Sequence, residues 1–474
     1  MFNRIIKLLK GKTASSAPTE PDVSATGAES PEFSQLNAIA PVSANGANTL
    51  ASAENGGDFI SANTIPPSVV CREAVLNQTQ KVAGYFFTLS RNINERVRAS
   101  SAIVQRLYDE VLLRNILNMD IQRLLGHRLA FIPVLPSSLE HPLLQQLPRQ
   151  GTVLVVNSLE QLLNDSEVML ARLTALKNAG FRIGLQGSID LPGMQAFMEL
   201  AEFIFIDIGS SDLPTITTRI ANINKQVFDK PLVATNIRTL DEFHVCARLP
   251  FVYFQGQFVT SREAWTTPRM DAGRIKILDL LNRIRQDAEN AELVQLFKQD
   301  PALSFKILRY LNSAGSGLTT KVNSIDQALL ILGRQNLYRW LTLLLFTSGA
   351  GDELDWALME NALVRARLAE LCASDSLPAN ERDELFVTGI FSLLDILLHM
   401  TMQRVLQQIS LPALAEEALL HQTGKYAPYL QLAIACEAFD HERITALSAQ
   451  IGLDMAQVNV YHADALIWAE QLNE

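Results

Sequence analysis

The chain is predicted to fold as a TIM-type (β/α) barrel followed by an all-α domain, behind a compositionally biased N-terminal stretch. Three observations carry this. Between Arg128 and Phe258, short apolar strands alternate with helical stretches, a pattern that implies right-handed crossovers and a parallel sheet. After Trp265-Thr266-Thr267-Pro268 the strand signal ends and only helical spacing remains. From Thr13 to about Pro66, Ala, Ser, Gly, Asn, Thr, Pro and Glu dominate without any period. Such a composition buries too little surface to offset its ordering entropy, and a disordered tether is expected there. The boundaries that follow are 1–66, 67–267 and 268–474.

A chain of 474 residues has room for two or three domains. Its hydrophobic content of 48% and charged content of 19% suit sizeable cores in a soluble protein. The formal net charge of −10 argues against a nucleic-acid-binding surface. Cys71, Cys246, Cys372 and Cys436 are too scattered for a zinc site or a disulfide framework, and a reduced cytoplasmic setting is expected. No apolar run reaches the roughly 20 residues of a membrane span. The opening MFNRIIKLLKGK interleaves its apolar residues with Arg4, Lys7 and Lys10, which makes a poor secretory signal. Phe2, Ile5, Ile6 and Leu9 nevertheless share one helical face. Residues 1–12 can therefore make peripheral contact with anionic lipid at the inner membrane, or dock on the protein's own surface, or stay unstructured.

Order is expected to begin near Val69. EAVLN and Lys81–Leu89 read as strands around a turn at Asn77-Gln78-Thr79; a helical region follows from about Asn94 to Leu117. RLAFIPVL, TVLVVN, FRIGLQ, FIFID, PLVATN and VYFQGQF are the later strands. The helices between them run through LEQLLNDSEVMLARLTALKNAG, MQAFMELAE, ITTRIANINKQ and TLDEFHVCARL. No glycine-rich phosphate loop follows any strand, so a closed barrel is favoured over an open doubly wound sheet. In the second domain Asp300-Pro301 marks a helix start. FKILRYLNSAG stops at Gly315, and further helices run through IDQALLILG, LYRWLTLLLF, LDWALMENALVRARLAELCA and ELFVTGIFSLLDILLHM.

Two segments resemble known families. The barrel resembles an EAL domain, the fold of cyclic di-GMP phosphodiesterases. The run LVQLFKQDPALSFKILRYLNSAGSGLTTKVNSIDQALLILGRQNLYRWLTLLLF is similar to an HDOD domain, a relative of HD phosphohydrolases without their metal motif. The resemblance covers about Val69 to the C-terminus, in the tandem order of EAL-HDOD regulators.

The resemblance implies a set of acids and an Asn at the strand ends, holding two divalent ions that activate water. Here Phe86 stands at the Glu of the Glu-Ala-Leu signature, and Ser90 at the phosphate-contacting Arg. Pro133 aligns with the ligand Asn, Asn157 with the next Glu, and Gln186-Gly187 with the Asp-Asp pair. Phe205 takes the Lys position and Thr235 that of the Glu in PLVAT, while Asp207, Gln255 and Gly256 are retained. Asp207 reads as an acceptor that fixes a βα loop, and Gln255-Gly256 as serving closure of the last strand. A lone Asp cannot place two hard cations, so neither a metal nor another cofactor is expected. In the helical domain Ser392-Leu393 stands where His-Asp would lie, and Asp395 and His399 at i, i+4 read as an intrahelical contact.

These departures make a non-enzymatic signalling regulator the leading expectation. It would act by contact with other signalling proteins or a second copy of itself, and not with nucleic acid. A residual cyclic di-GMP phosphodiesterase and a receptor that binds the nucleotide without cutting it are the alternatives. The output is expected on the helical domain. Lys306, Arg309 and Asn312 share a face apart from the packing residues Leu303, Ile307, Leu308 and Leu311. Nearby Tyr338, Arg339 and Trp340 are of types enriched at interface hot spots.

Overall fold

The computed structural model describes residues 70–473, apart from 90–101, 120, 210–211, 227–229, 266, 313–321, 349–352 and 439. Residues 1–69, with Phe2, Ile5, Ile6, Leu9 and the tether, lie outside the described residues, as do Ser90 and Gly315.

Eight strands close into one barrel in chain order. They are β1 (Cys71–Asn77), β2 (Val82–Thr88), β3 (Leu129–Val134), β4 (Thr152–Val156), β5 (Arg182–Gln186), β6 (Phe203–Asp207), β7 (Leu232–Ile237) and β8 (Phe251–Gly256). From β2 onward neighbouring strands are parallel. β1 runs antiparallel to both β2 and β8. The β1–β2 turn forms where it was read. Asn77 Oδ1 accepts from the Thr79 and Lys81 amides, each at 3.0 Å, and Gln80 takes the left-handed conformation at φ 61°.

Helices α1 (Ala102–Asn118) and α2 (Ile121–Leu125) precede β3. The crossovers are α3 (Ser166–Asn178), α4 (Gln195–Leu200), α5 (Leu213–Gln226) and α6 (Leu240–Cys246). The stretch read as one long helix from Leu159 is split: a 3-10 turn spans Leu159–Leu163, and α3 starts only after Asp165. α6 begins with a capping box, in which Thr239 accepts from the Glu242 amide and Glu242 reaches back.

Alternate strand residues point inward. Val75, Phe131, Val153, Val155, Phe203, Phe205 and Val233 fill the barrel axis. Edge-on aromatic contacts tie this core together, with Phe131 at 5.7 Å from both Phe203 and Phe205. Gly184 makes room for one of these rings, since a Cβ there would sit 2.6 Å from Phe205 Cε2. That glycine in FRIGLQ is therefore a packing residue.

The remaining chain is helical. It comprises α7 (Ala272–Arg285), α8 (Asn290–Lys298), α9 (Pro301–Leu311), α10 (Ile325–Thr347), α11 (Glu353–Cys372), α12 (Ala379–Phe391), α13 (Leu394–Leu398), α14 (Met402–Leu406), α15 (Ala413–Leu420), α16 (Ala427–Ala438), α17 (His441–Gln450) and α18 (Met455–Asn473). α9 starts as expected: Asp300 accepts from the Leu303 amide and Pro301 follows. The two helices read through IDQALLILG and LYRWLTLLLF meet at Gly333, whose φ of 72° breaks α10.

Candidate functional site at the barrel mouth

In a (β/α) barrel the ends of the parallel strands and their loops form the mouth. Phe86, Pro133, Asn157, Gln186, Phe205, Asp207, Thr235 and Gln255 all lie at or near those strand ends. Phe86 is half-buried, and its ring meets that of the buried Phe205 at 6.2 Å. Pro133 and Thr235 are buried. Gly187 is exposed at φ +135°, a conformation that favours glycine.

A chain of hydrogen bonds crosses one half of the mouth. Asp207 Oδ1 accepts from the Gly209 amide at 2.9 Å, which is the loop-fixing role read from the sequence. Its Oδ2 accepts from Asn236 Nδ2, also at 2.9 Å. The Asn236 amide donates to Gln255 Oε1 at 3.3 Å, and Gln255 Nε2 donates to Glu73 Oε2. Asn236 holds the left-handed conformation at φ 62°. Such a strained residue, pinned from several sides, is typical of functional strand ends. Gly256 lets β8 close on β7, because a Cβ there would lie 2.0 Å from the Ile237 carbonyl oxygen.

Glu73 and Asn236 were not singled out from the sequence. Glu73 lies within β1, and only the antiparallel return of that strand against β8 places it beside Gln255. Asn236 reads as an ordinary end of PLVATN; its role depends on the register shift between Ala234 and Ile237.

Across the mouth, Asn157 follows β4 and Gln186 ends the neighbouring β5. Asn157 Oδ1 and Gln186 Oε1 are buried and make no hydrogen bond among the described residues. Buried acceptors without a donor are costly, and a water or a ligand group that brings a donor would satisfy these two. Among the described residues no group of three or more His, Cys, Asp and Glu is placed to hold a metal ion.

In the helical domain Ser392 and Leu393 are both buried. Ser392 Oγ donates to the Gly389 carbonyl at 2.7 Å and accepts from Arg365 at 3.1 Å. Asp395 pairs with Arg262 at 2.6 Å, and His399, whose backbone amide donates to the Asp395 carbonyl at the end of α13, stacks on Trp265. A cavity of about 170 Å³ is lined by residues that include His244, Arg269, Asp355 and His399.

The candidate partner surface is also redrawn. Arg309 is exposed and Lys306 half-buried, while Asn312 clamps the Val322 backbone with bonds of 2.7 Å in both directions. Arg339 and Trp340 are buried, 6% and 1% exposed, and drop out of any surface. Arg339 lies over the Phe386 ring and pairs with Glu370 and Asp383. Its hot-spot chemistry serves the core. Phe305, Leu330 and Ile331 are the exposed apolar residues of this region.

Comparison with known proteins follows the same division. The HDOD domain family matches residues 271–427, so the helical part contains an HDOD domain. The cyclic di-GMP phosphodiesterase CdgJ of Vibrio cholerae is 23% identical over 412 residues, covering 87% of this chain and 94% of its own. An uncharacterized protein of Bacillus subtilis, YuxH, is 26% identical over 410 residues, covering 85% of this chain and 98% of its own. Among solved structures, the PaMucR phosphodiesterase in complex with c-di-GMP is similar over 40% of this chain and 94% of that one, at 16% identity and a TM-score of 0.34. Klebsiella pneumoniae BlrP1 with calcium and cyclic di-GMP is similar over 40% of this chain and 54% of that one, at 18% identity and a TM-score of 0.33. The expectation that this chain is not an enzyme is overturned by CdgJ, a relative named for its enzymatic activity that aligns over 87% of this chain.

Proposed function

We propose that this chain acts in cyclic di-GMP signalling, with the barrel mouth meeting the dinucleotide and the HDOD domain meeting other signalling proteins. Phosphodiester hydrolysis is the activity assigned to the barrel. One observation carries the reading: a relative named a cyclic di-GMP phosphodiesterase aligns over 87% of this chain and 94% of its own length. The mouth supplies supporting chemistry. The unpartnered Asn157 Oδ1 and Gln186 Oε1 complement the N–H donors of a guanine edge. The half-buried Phe86 offers an aromatic face on which a base can stack. Asp207, oriented by the Gly209 amide and Asn236, is the carboxylate that would take part in the reaction.

Two divalent ions would each want several oxygen ligands. Among the described residues no cluster of three or more such ligands is placed to hold an ion, and both oxygens of Asp207 already accept hydrogen bonds. The residues present do not fit a two-metal centre.

The test is to incubate the purified full chain with cyclic di-GMP, with and without Mg²⁺ or Mn²⁺, and to separate the products. Appearance of the linear dinucleotide, lost in Asp207→Ala, is the expected result. An intact dinucleotide under every condition refutes the assigned activity.

A further inference from the structure

The β1–β2 hairpin needs no crossover helix, so its outward face would lie bare in an isolated barrel. Here it does not. Tyr85 and Phe87 point outward and are 1% and 0% exposed. Tyr85 lies against a buried set of charges supplied by both domains. Arg72 on β1 pairs with Glu360 on α11 at 3.2 Å. Arg128, just before β3, pairs with Glu360 at 3.1 Å and with Glu470 on α18 at 2.6 Å. The Tyr85 hydroxyl bonds Glu360, and the Arg72 guanidinium sits 3.9 Å over the Tyr85 ring.

The set is incompletely paired. Arg72 Nη1 and Glu470 Oε1 are buried and have no hydrogen-bond partner among the described residues. One is a donor and the other an acceptor. The same residues therefore have a second pairing open to them, Arg72 with Glu470, that would satisfy both atoms. The electrostatics agree with closely opposed charges. Burial pulls the Arg72 guanidinium down to about 10, against the raising effect of Glu360. Burial pushes the Glu470 carboxyl up, against Arg128. His462, also on α18, is held down to about 4 by burial and then by Arg72, so it adds no charge at neutral pH.

Adjacent strand residues face opposite sides. Arg72 faces this interdomain set, and its neighbour Glu73 faces the mouth, where it accepts from Gln255. Gln255 in turn receives the Asn236 amide, and Asn236 donates to Asp207. One strand thus carries the last member of the mouth network on its inner face and, through Arg72, a buried ion pair with the HDOD domain on its outer face.

We infer that β1 couples the barrel mouth to the HDOD domain: a shift of Glu73 within the mouth network moves Arg72 between Glu360 and Glu470. The assignment of cyclic di-GMP to the mouth names what would drive this shift, but the coupling stands apart from it and is measured without ligand. A coupling free energy between two sites acts in both directions. The experiment is amide hydrogen exchange on the full chain. Gln255→Ala should speed exchange in α11 and α18 by about fivefold or more, while α17 keeps its wild-type rate. Conversely, Glu470→Gln should change exchange at residues 207–209 and 235–238, leaving β4 and β5 as they were. The milder Glu73→Gln decides the first arm if Gln255→Ala does not fold. A uniform rise over the whole chain, or changes confined to the mutated domain in either arm, would overturn the inference.

Discussion

Replacing Glu360 with Ala tests how firmly the two domains are joined. The Glu360 side chain is 7% exposed and receives Arg72 at 3.2 Å and Arg128 at 3.1 Å, along with the Tyr85 hydroxyl. Breaking a buried ion pair by removing one partner costs about 3–5 kcal/mol, because it strands an uncompensated charge. Arg128 keeps Glu470 at 2.6 Å, and Arg72, losing the carboxylate it bonds, has only the second pairing with Glu470 left to it. The lower end, about 3 kcal/mol, is the expected loss. Urea unfolding of the full chain, followed by tryptophan fluorescence, measures it, since Trp356 lies on α11 and Trp468 on α18. Glu202→Gln provides the contrast. Its 2.7 Å bridge to Arg182 is 36% exposed on both sides, and its loss should cost less than about 1 kcal/mol. If Glu360→Ala also costs under about 1 kcal/mol, the interdomain charges are not the fastening described above.

Two further outcomes are expected. Asp109 on α1 is buried and accepts the Leu135 amide at 2.9 Å; burial, the larger effect, raises its carboxyl from 3.8 to about 6. The native state then holds this proton more tightly than the unfolded chain does, so stability falls as pH rises between those values. Above pH 6 the cost is roughly 3 kcal/mol, at 1.36 kcal/mol per pKa unit. Asp109→Asn should therefore be more stable than wild type at pH 7 and nearly equal at pH 3.5; equal stability at both would contradict this. Arg309→Glu, at an exposed position of α9, should reduce capture of partner proteins by the full chain without lowering its melting temperature. Capture that is unchanged would remove α9 from the proposed output surface.

The barrel was legible because its strands are short, apolar and regularly interleaved with helices, and because Asn77 and Thr239 carry turn and cap chemistry that acts locally. The mouth was legible only in part. Phe86, Gln186, Asp207 and Gln255 could be placed because the resemblance to an EAL domain assigns them to site positions, at or near the ends of strands whose period is plain. Glu73 could not, since it matters through an antiparallel pairing with a strand nearly two hundred residues away. Asn236 depends on a register shift that no periodicity announces. Arg339 and Trp340 misled for a related reason. α10 is apolar on nearly every side beyond Gly333, so helical spacing there does not distinguish an outward face. The buried charges between the domains were invisible too, because Arg72, Arg128, Glu360 and Glu470 come from four separate elements. Their chemistry read as ordinary surface charge until packing removed it from water.

Hydrogen exchange of the full chain with and without cyclic di-GMP tests the central assignment most directly. The account predicts protection at the strand ends, in residues 186–187, 207–209, 235–238 and 255–257, reduced when Asp207 is changed to Ala. Protection that is absent, or confined to residues 271–427, would contradict a dinucleotide site at the barrel mouth.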